Sequence, residues 1–262
     1  MNFLDWYRTD RLPTIFCVGC GNGTVINCAL SAVTDVGWKP DEVVFVSGIG
    51  CSSRAPGYIS ADSLHTTHGR ALAFATGIRL ARPDLHVVIF TGDGDLAAIG
   101  GNHFIHACRR NVDMTVICMN NQIYGMTGGQ GSPTTPLGAI STTTPYGSEE
   151  GTFDLTALAI AAGANYAARW TSYQVKELTS AIRAGLETPG FAFIEAITQC
   201  PTGFGRRNRL REPEDMLEYF RTHSMLRQKY ERLIADNKPV PPDTLVVGEF
   251  IRRNRPVLGG PR

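Results

Sequence analysis

Residues 86–121 read HVVIFTGDGDLAAIGGNHFIHACRRNVDMTVICMNN, and how that stretch is parsed decides the fold. Its two apolar runs, 86–92 and 114–120, are short and rich in Val, Ile and Phe, as buried strands are. Between them, 99–111 carries apolar residues at helical spacing. A strand–helix–strand unit joins parallel neighbours, so both strands run out at the same edge of the sheet. The first ends in Gly92-Asp93-Gly94-Asp95 and the second in Asn120-Asn121.

In an open α/β sheet that carboxyl edge is where ligands bind. Gly92 and Gly94 let the backbone approach a diphosphate and leave its N–H groups free as donors. Asp93 supplies a hard anionic oxygen and Asn121 a neutral one, which suits Mg²⁺ sharing its shell with phosphate. Either motif alone also reads as a strand-end turn. Their pairing across one β–α–β unit favours the diphosphate and metal.

The alternation continues on both sides. Strand 42–48 leads to helix 68–82 before the quoted stretch. After it, a Gly/Ser/Thr/Pro-rich loop (125–148) precedes helix 154–163, strand 165–170, helix 172–187 and strand 191–198. Continuous apolar strands alternating with helices predict an α/β fold, a mostly parallel sheet flanked by helices on both faces. The tail differs. Residues 212–236 have the pattern of one helix, and 239–262 form a Pro-rich end, together an arm packed on the body or on a partner. The expected division is 1–210 for the α/β domain and 211–262 for the arm. No internal repeat or low-complexity block interrupts the chain.

With 262 residues, 43% hydrophobic, 19% charged and a net charge of +1, the chain is ordinary for a globular protein. Near-neutral charge argues against binding nucleic acid or a membrane surface. The first residues, MNFLDWYRTDRLPT, lack a secretory signal's apolar core, and no run approaches a membrane span. The expected location is cytoplasmic. There, seven cysteines read as thiols or metal ligands rather than a disulfide framework.

Cys17 and Cys20 lie two residues apart in IFCVGCGNGTV. Cys51 follows strand 42–48 and Cys200 follows strand 191–198, so both fall at the edge that carries the Gly-Asp and Asn-Asn motifs. Cys28 and Cys108 fall in helices and Cys118 within a strand, where they read as buried apolar thiols. Four cysteines facing one edge make a tetrathiolate site the economical reading. Zinc would accept the same four ligands, though it usually takes pairs of Cys-x-x-Cys.

These residues carry a family resemblance. GDGD followed by NNQIYGMTGGQ resembles the thiamine-diphosphate motif, and the wider context resembles the β subunit of 2-oxoacid:ferredoxin oxidoreductases, most of all those acting on 2-oxoglutarate. The match runs through CVGCGNG, SGIGCSSR, HTTHGRALAFATG, TGDGDLAAIGGNHFIHACRRN and QCPTGFG, over about 14–210. The resemblance implies that Asp93, Asn121 and the carbonyl of Ile123 hold Mg²⁺ on the diphosphate. It implies that Gly50, Cys51, Ser52, His68, Gly92, Gly94, Asp95, Tyr124, Gly125, Met126 and Thr127 line the cofactor. By the same resemblance Cys17, Cys20, Cys51 and Cys200 hold one 4Fe–4S cluster beside it. Arg70 stays a helix-start polar residue.

The implied reaction is coenzyme A-dependent oxidative decarboxylation of a 2-oxoacid, with electrons passing to ferredoxin, or the reverse reductive carboxylation. In this family a glutamate at the aminopyrimidine ring comes from a separate α/β domain, and this chain has no room for a second one. An α subunit is therefore expected, supplying that glutamate and part of the substrate and coenzyme A site, in a heterodimer or its dimer. Arg54, three residues past Cys51, reads either as a surface arginine or as a guanidinium fork for a substrate carboxylate. The latter favours 2-oxoglutarate over pyruvate or a broad range of 2-oxoacids. Readings from other classes are an electron-carrier subunit using its cluster alone and a zinc-stabilised thiamine enzyme without electron transfer. A dinucleotide module is disfavoured because no GxGxxG opens a helix after a strand.

Overall fold

The structure, a computed structural model, describes residues 2–259. Its centre is an eight-stranded sheet. In chain order the elements are α1 (Asn22–Asp35), β1 (Val43–Ser47), β2 (Asp62–His65), α2 (Ala71–Ala81), β3 (His86–Gly92), α3 (Gly101–Arg110) and β4 (Met114–Asn120). A small hairpin of β5 (Ile123–Tyr124) and β6 (Gln130–Gly131) follows, then α4 (Leu155–Ala162), β7 (Tyr166–Thr171), α5 (Val175–Leu186) and β8 (Phe191–Ile197). The tail contributes α6 (Pro213–His223), β9 (Ser224–Leu226), α7 (Arg227–Ala235) and β10 (Leu245–Arg252).

The strand order is β2-β1-β3-β4-β8-β7-β10-β9. All pairs are parallel except β10 with β7. The expected mostly parallel α/β sheet is therefore present. Every residue of β4 and β8 is buried, because helices cover both faces. Phe45, Phe90, Ile117 and Ile194 pack with Ile26 and Leu30 of α1 and Leu178 and Ile182 of α5. Alternate residues Val46, Ile89, Val116 and Phe193 face the other way, against Leu72 of α2, Phe104 of α3 and Leu155 of α4. This period-two sorting is what a strand does with its side chains. Each large apolar group so buried contributes about 1.5–3 kcal/mol.

Two readings of the tail need correction. The helical pattern of 212–236 is broken, because Ser224 is extended (φ −72°, ψ 131°) and Ser224–Leu226 pairs in parallel with Leu245–Val247. The Pro-rich end contains β10, which pairs antiparallel with β7 and carries a bulge between Glu249 and Ile251. Tertiary pairing overrides the helix pattern in the first case. In the second, Val, Phe and Ile gain a sheet edge that prolines elsewhere in the segment obscured. β2 was not anticipated either, since Asp-Ser-Leu-His has no apolar run and is mostly exposed. Among the described residues no helix is long and apolar enough to cross a membrane.

Candidate active site

β1, β3 and β4 end side by side, and their following loops border a cleft of about 110 Å³. It is lined by Gly50, Cys51, Ser52, His68, Gly92, Asp93, Gly94, Asp95, Asn121, Ile123, Tyr124, Gly125, Met126 and Thr127. The structure thus brings together all the residues expected at the cofactor, and adds Ile49 and Met119. Parallel register does this: β3 and β4 pair from Val88–Thr115 to Gly92–Met119, so the loops after them begin level.

Glycine is needed where the cleft narrows. A Cβ on Gly94 would stand 2.3 Å from the Tyr124 ring, whose hydroxyl donates to the Gly94 carbonyl at 3.3 Å. Gly50 has φ +118°, a conformation other residues rarely adopt, and nothing within 4 Å of a Cβ position. Backbone is therefore presented bare to the cleft, as a diphosphate requires.

The two carboxylates of the motif have different surroundings. Asp95 is almost fully buried and accepts from the backbone N–H of Gly69 (2.7 Å) and Ile49 (3.1 Å) and from the Thr91 hydroxyl (2.9 Å). His68 Nδ1 lies 2.5 Å from its Oδ1. Gly48 is obligatory beneath it, because a Cβ there would meet the carboxylate at 2.2 Å. Asp93 is buried as well, and burial holds its carboxyl above the usual range, opposed by the Ser132 and Thr134 hydroxyls. Thr134 was read only as part of a loop, and no local pattern marks it. Asn121 Oδ1 accepts from the Ile123 N–H at 3.3 Å, which keeps the Asn-Gln-Ile turn tight around Gln122 at φ +63°.

Burial alone does not divide the cysteines into the two expected groups. Cys28, Cys108 and Cys118 are buried in α1, α3 and β4. Cys17 is exposed, Cys20 and Cys51 are half-buried, and Cys200 is buried. A Cβ on Gly125 would lie 3.5 Å from the Cys200 sulfur and 3.7 Å from that of Cys51, so both flank the cleft floor. Burial pushes Cys20 up to about 12, opposed by the backbone N–H of Asn22 and reinforced by charge at Cys200, Cys51 and Cys17. Cys51 is pushed up to about 11 by burial first, then by Cys200 and Cys17, and a Met126 N–H opposes this. Cys200 is raised by burial too, and the Gly203 N–H donates to its sulfur at 3.3 Å. Among the described residues no three His, Cys, Asp or Glu side chains are gathered closely enough to hold a metal ion as they stand. The Cys200 sulfur already receives the Gly203 N–H, a donor that stabilises a thiolate rather than a thiol. Asn22 and Thr198, each two residues from one of these cysteines, have buried polar atoms without a partner. That donor-rich pocket fits an anionic sulfur cluster.

Arg54 is exposed on a short helical turn (Ser52–Tyr58) and does not line the cleft. Arg70 donates to the Ile99 carbonyl at 2.9 Å, a structural tie at the start of α2.

The carboxyl edge of the parallel sheet thus carries bare glycines, a buried aspartate and an Asn-Asn turn around one cleft. Residues 48–196 match the family model described as the thiamine pyrophosphate enzyme C-terminal TPP-binding domain. The chain is 58% identical to 2-oxoglutarate synthase subunit KorB of Methanocaldococcus jannaschii, over 97% of this chain and 93% of that protein. It is 44% identical to the 2-oxoacid:ferredoxin oxidoreductase subunit beta of Saccharolobus solfataricus, over 71% of this chain and 62% of that one. A solved 2-oxoglutarate:ferredoxin oxidoreductase from Magnetococcus marinus, with 2-oxoglutarate, coenzyme A and succinyl-CoA bound, superimposes with a TM-score of 0.86 at 33% identity. That match covers 98% of this chain and 87% of that one. The chain belongs to the β subunits of the thiamine-diphosphate-dependent 2-oxoacid:ferredoxin oxidoreductases, the family that includes 2-oxoglutarate synthase.

Proposed function

We propose that this β subunit works with an α subunit in the coenzyme A-dependent oxidative decarboxylation of 2-oxoglutarate to succinyl-CoA and CO₂, or in the reverse reductive carboxylation. Electrons pass to or from ferredoxin. Asp93, Asn121 and the Ile123 carbonyl hold Mg²⁺ on the diphosphate, while Cys17, Cys20, Cys51 and Cys200 hold a 4Fe–4S cluster. The observation that carries the reading is that Cys51 and Asp93 line one cleft, with Gly125 between the Cys51 and Cys200 sulfurs and the cofactor loop.

Thiamine diphosphate, when bound, supplies the electron sink that makes loss of CO₂ feasible. The chain's own residues place it. Bare backbone at Gly50 and Gly92 receives the diphosphate, and Tyr124 closes over Gly94. Asp95 fixes His68 at the cleft mouth through the 2.5 Å contact. Of the carboxylates in the lining, Asp95 is spent on His68, two backbone N–H groups and Thr91, and Asp93 is assigned to the metal, so the glutamate for the aminopyrimidine ring is assigned to the α subunit. Arg54 is exposed beside the Cys51 turn, where it can meet the distal carboxylate of a dicarboxylic substrate at the subunit boundary.

The test is a co-purified αβ complex assayed with coenzyme A, a redox dye and 2-oxoglutarate, pyruvate or 2-oxobutyrate, with iron and thiamine diphosphate measured on the same sample. Preferred turnover of 2-oxoglutarate by a brown, thiamine-containing complex is expected. Equal turnover of pyruvate would overturn the substrate, and a colourless active complex would overturn the cluster.

A further inference from the structure

We propose that Thr134 is a positioning residue for the metal carboxylate, a buried hydroxyl brought to Asp93 from the loop after β6. The inference rests on the assignment of Asp93 as a ligand of the metal on the diphosphate.

Asp93 is buried at the end of β3, and the torsion that turns a carboxylate plane is soft. A cation needs that plane set in advance. Thr134, itself 2% exposed, reaches in from the loop after β6, and its hydroxyl lies 2.6 Å from Asp93 Oδ2. The same oxygen is 2.9 Å from Asn120 Oδ1. The hydroxyl has one proton, and the nearer, charged oxygen takes it. With Oδ2 engaged, Oδ1 is the oxygen available to a cation in the cleft.

With that proton on Asp93, the Asn120 oxygen beside it belongs to a separate buried relay. Asn120 cannot flip its amide, because Oδ1 accepts from the Gln122 N–H at 3.0 Å and Nδ2 donates to Glu195 Oε1 at 2.8 Å. The second oxygen of Glu195 receives the Thr156 hydroxyl and Arg169 Nε, both at 2.7 Å. Glu195 is the cross-strand partner of Cys118 on one side and Arg169 on the other, so the relay crosses three adjacent strands level with one another. Arg169 also contacts Asp154 and stands 5.3 Å above the Phe250 ring in β10. A buried ion pair so fully partnered makes a stiff anchor.

Thr134→Val keeps the shape of the side chain and removes the proton donated to Asp93 Oδ2. Cofactor-stripped αβ complex is titrated with Mg²⁺ at fixed thiamine diphosphate, and retained thiamine diphosphate is measured together with iron content. The Mg²⁺ needed for half-maximal retention is expected to rise about tenfold or more in Thr134→Val. Thr134→Ser should restore the wild-type value, and iron content should not change. Thr134→Ala carries the same test if Val hinders assembly. Wild-type Mg²⁺ dependence in the variants lacking the hydroxyl would overturn the positioning role alone. If Mg²⁺ does not influence retention in the wild type, the metal assignment of Asp93 fails and the positioning role with it.

Discussion

Nδ1 of His68 stands 2.5 Å from Oδ1 of Asp95, and this contact fastens the approach to α2 onto the turn that follows β3. Asp95 also takes two backbone N–H groups and the Thr91 hydroxyl. It is therefore a structural hub under the cleft, with little capacity left for a ligand. Asp95→Ala would strand four buried or half-buried donors at once. The expected result is a loss of about 3 kcal/mol or more by denaturant unfolding. A stability change under 1 kcal/mol, taking ~1 kcal/mol as the mean single-mutant cost, would show that the hub is dispensable.

Asp93 should trade stability for function. Burial raises its carboxyl, with the Ser132 and Thr134 hydroxyls opposing. A group whose folded value lies above its unfolded one contributes most below the unfolded value, about 3.9, and loses that contribution as pH rises through the folded value. Above the unfolded value the cost of burying this carboxyl therefore weakens the cofactor-free protein. Asp93→Asn should melt a few degrees higher than wild type without cofactor, each ~1 kcal/mol being about 2–4 °C. The same variant should lose the further rise that Mg²⁺ and thiamine diphosphate give the wild type. The wild-type advantage of the neutral form should grow toward acid pH and vanish in the variant. Melting curves at pH 5 and 7, with and without cofactor, decide it.

Single replacement of Cys17, Cys20, Cys51 or Cys200 by Ser should remove iron and visible absorbance from the purified complex. Cys28→Ala, Cys108→Ala and Cys118→Ala should retain both, since these thiols sit in α1, α3 and β4 among apolar neighbours. Iron analysis separates the groups. Retention by all four members of the first set would refute the proposed ligands.

Arg54 makes no side-chain hydrogen bond or ion pair among the described residues and is exposed, so Arg54→Ala should change stability by no more than about 0.5 kcal/mol. Any kinetic effect is then functional. One charge-assisted bond to a distal carboxylate is worth roughly 1.5–3 kcal/mol, so kcat/KM for 2-oxoglutarate should fall about tenfold or more. Pyruvate and 2-oxobutyrate, which lack that group, should be nearly unaffected. An equal decline for all three would move Arg54 to the shared 2-oxoacid end or to the cluster, and no decline would leave it a surface arginine.

By itself the sequence determined the β3–α3–β4 unit and the alternation around it. Strands buried on both faces must be continuously apolar, and that requirement is written locally in HVVIFTG and MTVICMN. The cleft residues were legible for the same reason: they follow strands directly, and parallel strands end together. What lay beyond local reach was decided by partners distant in the chain. Residues 224–226 continue a helical pattern, yet pairing with 245–247 draws them into the sheet. Leu245–Arg252 becomes a strand because β7 offers it an edge. Thr134 carries no local mark at all, and Glu195 only that of a charge in an apolar run. Their meaning arises when the fold sets a hydroxyl 2.6 Å from Asp93 and an arginine 2.7 Å from Glu195. A buried polar group is tolerable only with a partner, and only the tertiary structure can provide one.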